Sequence, residues 1–188
     1  MNEAPDIHEL VGERISLRPL HADDFEAVYQ AASDPLIWEM HPEPTRYQES
    51  VFRDGFFASA VRSGSAFVIT ENATGAVIGS SRYYDWNPAR QEIAIGYTFL
   101  VRRCWGGTFN AELKHLMLAH AFRWAKVVWF HIGSDNWRSR RATEKIGAVF
   151  SHEENREVHG VNFPTAFYRI DAPTNESPQS QHSAIRPT

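Results

Sequence analysis

The sequence predicts an α/β domain of α+β character, a mixed sheet with helices on its faces, and three observations lead there. Runs with period-two apolar alternation interchange with runs of helical period, in the order β, α, α, β, β, β, α, β, α, β, β. The 188-residue chain is 43% apolar, enough for one sizeable core. No internal repeat or inter-domain linker divides it.

Residues 14–20, RISLRPL, alternate Ile15 and Leu17 with polar neighbours and form a strand. Residues 21–33 follow as a helix, with Asp23 and Asp24 near its N-terminus, where the dipole favours anions. Residues 45–62 carry Val51, Phe52, Phe56 and Val61 at roughly helical spacing and make a second helix, weakest at Gly55. Two strands, 65–72 and 76–86, flank the turn residues Asn72 to Gly75. Residues 91–101, QEIAIGYTFLV, make a longer strand. Its alternation places Ile93, Ile95, Tyr97 and Phe99 on one face and Glu92, Ala94, Gly96 and Thr98 on the other.

Residues 110–125 are strong helix formers, apolar around more than half the circumference, so this helix packs on the sheet. KVVWFHIG, 126–133, is β-branched and apolar, a buried strand. Residues 136–147 make a short helix with Asn136 as N-cap and Gly147 just past its end. Strands 148–158 and 164–171 close the domain, taken as residues 1–171. The Pro-, Ser-, Gln- and Thr-rich segment 172–188 buries too little apolar surface to offset its ordering entropy and is expected to be disordered.

A formal net charge of −4 leaves no global basic field to recruit nucleic acid or an anionic membrane. It mildly favours a cationic small molecule over an anionic one. The single cysteine, Cys104, permits no intramolecular disulfide and suits a reducing compartment. The opening MNEAPDIHEL has no signal-type apolar core, and no run approaches the ~20 residues of a membrane span, so a cytoplasmic location is expected. His115 and His120 do not share a helix face and lack Cys or His partners, so no metal is expected. Cys104 lacks a nucleophile motif and reads as a bystander.

The junction RRCWGGTFN, residues 102–110, joins a strand to a helix through two glycines. Free amides at a helix N-terminus bind phosphate, and glycines let its oxygens approach the backbone. A tight structural connection is the other reading of the same glycines. Neither G-x-x-x-x-G-K-[ST] nor G-x-G-x-x-G is present, which excludes the Walker and dinucleotide loops. Arg102 and Arg103 precede the loop, and Arg138, Arg140, Arg141 and Lys145 stand on the next helix. Such concentration in an acidic chain points to a ligand with several phosphates.

Four pieces occur in order. GERISLRPLHADD covers residues 12–24. Glu92-Ile93-Ala94-Ile95-Gly96-Tyr97 is followed by Trp105-Gly106-Gly107-Thr108-Phe109-Asn110-Ala111-Glu112. Asn136-Trp137-Arg138-Ser139 then runs on to Lys145-Ile146-Gly147. Over about residues 10–171 these resemble the GNAT acetyltransferase superfamily, most closely the group of the ribosomal-protein N-terminal acetyltransferases RimJ and RimL. That group shows E-I-G-Y, W-G-x-G-y-a-x-E and N-x-x-S-x-x-x-x-x-K-x-G. Thr108 stands where the group has Gly, Asn110 where it has Ala or Gly, and the strand-to-loop segment is about one residue longer.

The resemblance implies a mostly antiparallel, twisted sheet of about seven strands, with a splayed parallel pair that holds acetyl-CoA. The pantetheine arm would pair with backbone at Phe99, Leu100 and Val101. The loop Trp105, Gly106, Gly107, Thr108, Phe109 and Asn110 would hold the pyrophosphate. Asn136 would steady the arm, and Arg141 would meet the 3′-phosphate. Glu92 becomes the candidate base, acting through water, or else a structural carboxylate. Ser139 stands in for the tyrosine many members place on the last helix. Trp38, Tyr83, Tyr84 and Trp86 would line the acceptor pocket, with core packing as the alternative. The implied reaction moves an acetyl group to a primary amine on a small molecule, antibiotic or peptide N-terminus. A non-catalytic acyl-CoA sensor on the same fold is the rival, retention of Glu92 and Ser139 arguing against it. A homodimer is left open.

Overall fold

The computed structural model describes residues 6–158 and 161–173. Its eight strands are β1 (Leu10–Val11), β2 (Ile15–Pro19), β3 (Ala66–Glu71), β4 (Val77–Asn87), β5 (Glu92–Leu100), β6 (Val127–Gly133), β7 (Val149–Val158) and β8 (Val161–Asp171). They form one sheet in the order β1-β2-β3-β4-β5-β6-β8-β7, antiparallel except for the parallel pair β5–β6. The expected seven-strand count misses β1. Two residues show no period, and this strand exists because Leu10 pairs with Leu17 across the register. The segment expected to be disordered lies, from residue 174 on, outside the described residues.

The helices are α1 (Phe25–Ala32), α2 (Glu49–Val51), α3 (Ala58–Ser63), α4 (Thr108–Ala121) and α5 (Trp137–Lys145). The start of α1 is held by Asp24, which accepts from the His21 amide at 2.8 Å and from both ends of the Arg18 guanidinium. Between α2 and α3 the chain winds as a π-helix over Phe52–Phe57, at the glycine expected to weaken this helix. Bonding from i to i+5 brings Phe57 over Phe52, so Phe52, Phe56 and Phe57 are all buried. An α-helical winding would turn Phe57 away from the other two.

One face of the sheet packs on α4, where Ile15, Ile93, Ile95, Val128 and Tyr168 meet Leu113, Met117 and Ala121. The other face is covered by α1 and the α2–α3 segment, where Val68 and Phe99 meet Val28, Trp38, Phe52 and Phe56. Among the described residues no helix is long and apolar enough to cross a membrane, and no group of three His, Cys, Asp or Glu could hold a metal ion.

Candidate active site

The site begins where β5 and β6 part. Their parallel pairing covers only Glu92↔Val127, Ile93↔Val128 and Ala94↔Trp129. Beyond it β6 continues along β8 as far as Gly133, while β5 continues along β4 as far as Leu100. The strands therefore diverge, and the β5 edge facing β6 is left unpaired from Ile95 onward.

A bulge reshapes β5 at the same place. Arg82 pairs with Gly96 and Ser80 with Phe99, so β5 spends three residues where β4 spends two. Tyr97 takes the left-handed conformation, with φ 51°. This supplies a place for the extra residue noted in the sequence. It also corrects the expected faces, because alternation is inverted past Gly96. Ile93 and Ile95 face α4, whereas Phe99 packs with Trp38 and Phe56 on the opposite face. Thr98, expected opposite the isoleucines, instead reaches toward α4, where its Oγ1 accepts from Lys114 Nζ at 2.8 Å. Gly96 is required here, since a Cβ would stand 2.8 Å from the Tyr84 ring.

At the open end of the wedge the chain turns through Arg102–Cys104 into α4. Gly107 occupies the N-cap position and provides no side-chain cap. The first amides of α4 thus lack the usual side-chain acceptor. Gly106 has φ 68°, which a side chain would strain, and a Cβ on either glycine would meet nothing within 4 Å. An uncapped 14-residue helix behind open glycine backbone fits a phosphate group.

Other sequence-predicted cofactor residues are spread around this wedge. The Leu100 carbonyl accepts from the Trp105 indole at 2.8 Å, and the Val101 amide donates to Ile78 at 2.8 Å, so both groups already have protein partners. Phe99 sends its ring into the aromatic core. Thr108, Phe109 and Asn110 lie in the first turn of α4, with Phe109 partly buried against the core. Asn136 spends its Oδ1 capping α5 through the Ser139 amide at 3.1 Å. Three members of the basic cluster, Arg102, Arg103 and Arg138, are ion-paired. Arg102 pairs with Asp34, Arg103 holds Glu71 through two bonds of 2.9 Å, and Arg140 binds the Tyr168 hydroxyl and the Ser134 carbonyl. Arg138 lies 4.0 Å over the Trp105 ring and 3.3 Å from Glu39, tying α5 to the loop and to the α1–α2 connection. Arg141 is exposed and makes no ion pair among the described residues, only a contact of 5.3 Å with the Trp137 ring.

The aromatic candidates separate by face. Tyr83 is buried under α4, its hydroxyl donating to the Met117 carbonyl at 2.7 Å, and Trp86 packs edge-on against Trp124. Both belong to the α4-side core. Tyr84 points to the opposite face, where its ring meets Tyr97 and its hydroxyl meets His131 Nδ1 at 3.0 Å. Trp38 is buried on that face, its indole donating to the Ala32 carbonyl, with Phe99 beneath it.

Glu92 lines a cavity of about 330 Å³ together with Asp85, Arg90, Trp129, His131 and His152. Arg90 donates to one carboxylate oxygen at 3.1 Å and the Trp129 indole to the other at 3.3 Å. It stands at the closed end of the strand pair, about 10–13 Å along β5 from Ile95 and Gly96 at 3.3 Å per residue. His131 is neutral, since burial and the neighbouring Arg156 push its pKa down to about 4. Its Nδ1 accepts from Arg156 at 2.7 Å, so that nitrogen is not free to take a proton.

Sequence reading missed three groups. Lys114 is buried on α4 between the parting strands, near the Phe130 ring of β6, and burial lowers its pKa to about 7. Arg46 and Arg82 are buried on the opposite face around Tyr97. One signal was legible: Lys114 interrupts the apolar stripe of a helix bound for the core. Nothing local marks the two arginines.

A parallel strand pair that opens beside an uncapped, glycine-started helix defines an acyl-coenzyme A transferase fold. Residues 14–149 match the acetyltransferase (GNAT) domain model, and the chain belongs to the GNAT acetyltransferase family, with acetyl-CoA as its acetyl donor. The fold is shared with a GCN5-related N-acetyltransferase from Brucella melitensis at TM-score 0.76 and 21% identity, covering 92% of this chain and 81% of that one. It is also shared with Mycobacterium smegmatis RimJ in complex with CoA-disulfide, at TM-score 0.67 and 20% identity over 89% and 88% of the two chains. A Vibrio cholerae protein described as a ribosomal-protein-serine acetyltransferase has TM-score 0.70 and 16% identity over 90% and 99%. No curated protein matches the sequence.

Proposed function

We propose that this enzyme acetylates a primary amine that approaches the wedge from the α1–α3 face. The observation that carries the reading is the parting of β5 and β6 after Ala94 and Trp129, in line with the uncapped start of α4. Both faces of the sheet carry core, but at the bulge Tyr97 stays 40% exposed on the face away from α4, and that is the side taken for the acceptor.

When bound, acetyl-CoA supplies a thioester carbonyl open to direct attack and a thiolate that leaves. Amides of Gly106, Gly107 and the first turn of α4 hold its phosphates, with the Asn136 NH₂ and Arg141 as further contacts. The free edge of β5 between Ile95 and Phe99 receives the arm, a small-molecule form of strand addition. Trp105, braced on the Leu100 carbonyl and covered by Arg138, walls the wedge.

Glu92 is too far along β5 to touch an amine at the bulge. It takes the amine proton through water in the cavity it shares with His131. The Ser139 hydroxyl in the first turn of α5 hydrogen-bonds the departing sulfur, and the Lys114 ammonium between the strands returns its proton. Lys114 is poised between its two charge states near neutrality.

A thiol-release assay with acetyl-CoA across amines, amino acids and N-terminal peptides tests the reading. Release with at least one amine class, with loss of turnover in a Gly107→Val variant, is expected. Absence of release from a protein that binds coenzyme A would leave only the sensing role.

A further inference from the structure

The chain has three lysines, Lys114, Lys126 and Lys145. Lys126 and Lys145 are exposed, whereas Lys114 on α4 is 6% exposed. Its surroundings are polar but uncharged. From β5, Thr98 Oγ1 accepts from Nζ at 2.8 Å, and Ser81 Oγ on β4 lies 2.7 Å from the same Oγ1. From β6, the Phe130 ring stands 5.4 Å away. The acid of its own helix, Glu112, turns instead to the Arg14 amide at 2.9 Å and to the Arg14 guanidinium. Of the two histidines on that helix, His115 is exposed and His120 meets the Tyr83 hydroxyl. Burial is what moves the lysine's pKa, down to about 7.

The place matters as much as the burial. The pairing of β5 with β6 ends at Ala94↔Trp129, so one further step would have joined Ile95 to Phe130. Lys114 stands where that step is missing, near Phe130 on one strand and bonded to Thr98 beyond the bulge of the other. Its amine therefore lies against the free edge of β5 between Ile95 and Phe99, the edge proposed to receive the arm of acetyl-CoA. An amine this buried meets what the wedge binds and is screened from reagents in bulk solution. A desolvated lysine is also a nucleophile, because its neutral form keeps the nitrogen lone pair.

We infer that Lys114 is itself a site of acetylation: with acetyl-CoA in the wedge and no acceptor in place, its Nζ attacks the thioester carbonyl and becomes Nζ-acetyl-lysine. This rests on the reading that the wedge holds acetyl-CoA along β5. The N–C bond forms as the C–S bond breaks, and the proton that Nζ loses goes to the departing thiolate, so free coenzyme A is the other product. No outside base is needed, because the attacking amine is already neutral. The two charge states of Lys114 then have opposite outcomes. The ammonium returns a proton to the sulfur during turnover, whereas the neutral amine competes with the acceptor for the acetyl group. Acetylation removes the charge and the donor together. The modified chain is thus a slow form of the enzyme, made when acetyl-CoA is present and the acceptor is not.

The test incubates the full chain with isotopically labelled acetyl-CoA and no amine, between pH 6 and 9, and follows each lysine by peptide mass spectrometry. The exposed Lys126 and Lys145 are internal controls for uncatalysed acetylation. Lys114 is expected to take the label at least about tenfold faster than either, the least that holding two reactants together should give. Its rate should rise with pH to a plateau as the neutral form fills, and Gly107→Val should slow it without changing the controls. N-acetoxysuccinimide, an acetyl donor without phosphates, should mark Lys126 and Lys145 and spare Lys114. In the chain unfolded in urea, acetyl-CoA should no longer favour Lys114. Label appearing first on Lys126 or Lys145, or on Lys114 equally in the folded and unfolded chains, overturns the inference. So does an unlabelled Lys114 in a chain that calorimetry shows to bind coenzyme A. In that case thiol release with amines in the same preparation would leave the acetyltransferase reading standing, whereas a chain that binds no coenzyme A would lose both.

Discussion

Glu92 has a carboxylate with a donor on each oxygen, a cavity before it and about 10–13 Å of strand between it and the bulge. Such a group accepts a proton only through water, which puts its contribution at the low end of what a positioned base supplies. Glu92→Gln is therefore expected to bind acetyl-CoA normally and to lose about 10²-fold in kcat, with the acid limb of the pH–rate profile flattened and partial rescue at higher pH. Unchanged kcat and an unchanged acid limb would make the carboxylate a brace for Arg90 and Trp129. The residue types at the cradle and at Glu92 were legible in the sequence. The burial of Arg46 and Arg82 was not, because an arginine's identity says nothing of where the fold will place it. Tyr83 and Trp86 failed as acceptor candidates for a related reason. Neighbouring strand residues point to opposite faces, and only the packed sheet shows which face α4 covers.

At the scale of elements, the cradle is the clearest unit. Gly107 has φ −109°, a conformation open to any residue, with empty space where its side chain would stand. Gly107→Val should therefore fold with little change in stability. Coenzyme A affinity should fall at least tenfold, as a branched side chain fills the approach to the α4 amides. Calorimetry showing unchanged affinity in the folded variant would remove the loop from the site. The neighbouring Gly106 is the poorer position to substitute, since its φ of 68° would add backbone strain of its own. Two elements departed from their sequence pattern for one reason. In β5 and in the α2–α3 segment a single extra residue is absorbed inside the element, as a β-bulge at Tyr97 and as the π-helix over Phe52–Phe57. Both insertions re-aim aromatic side chains toward the α1–α3 face, where the acceptor is proposed to bind.

At the scale of the molecule, burial of Lys114 has a consequence for stability. Its pKa is about 7 folded against 10.5 for the free side chain, so between those values the unfolded chain carries the extra proton. Stability must then rise as pH rises through that window, by up to about 1.4 kcal/mol per pH unit, and this contribution is flat below pH 7. Denaturant midpoints measured between pH 7 and 9 should climb in the wild type, and Lys114→Met should remove most of the slope. An equal slope in the variant would show that Lys114 keeps its charge in the fold, through solvent or a partner that reaches it.

The sequence by itself determined the order of seven of the eight strands and of the helices between them, the glycine junction before α4 and the acetyltransferase family. Each is written in local pattern: period, capping residues and motif spacing along a continuous stretch. Tertiary structure alone decided where β5 leaves β6, which face Tyr83 and Phe99 take, which arginines are neutralised by distant acids such as Glu71 and Glu39, and which are buried. Those outcomes depend on residues far apart in the chain coming within a few ångströms of one another, and burial and charge compensation exist only once they do.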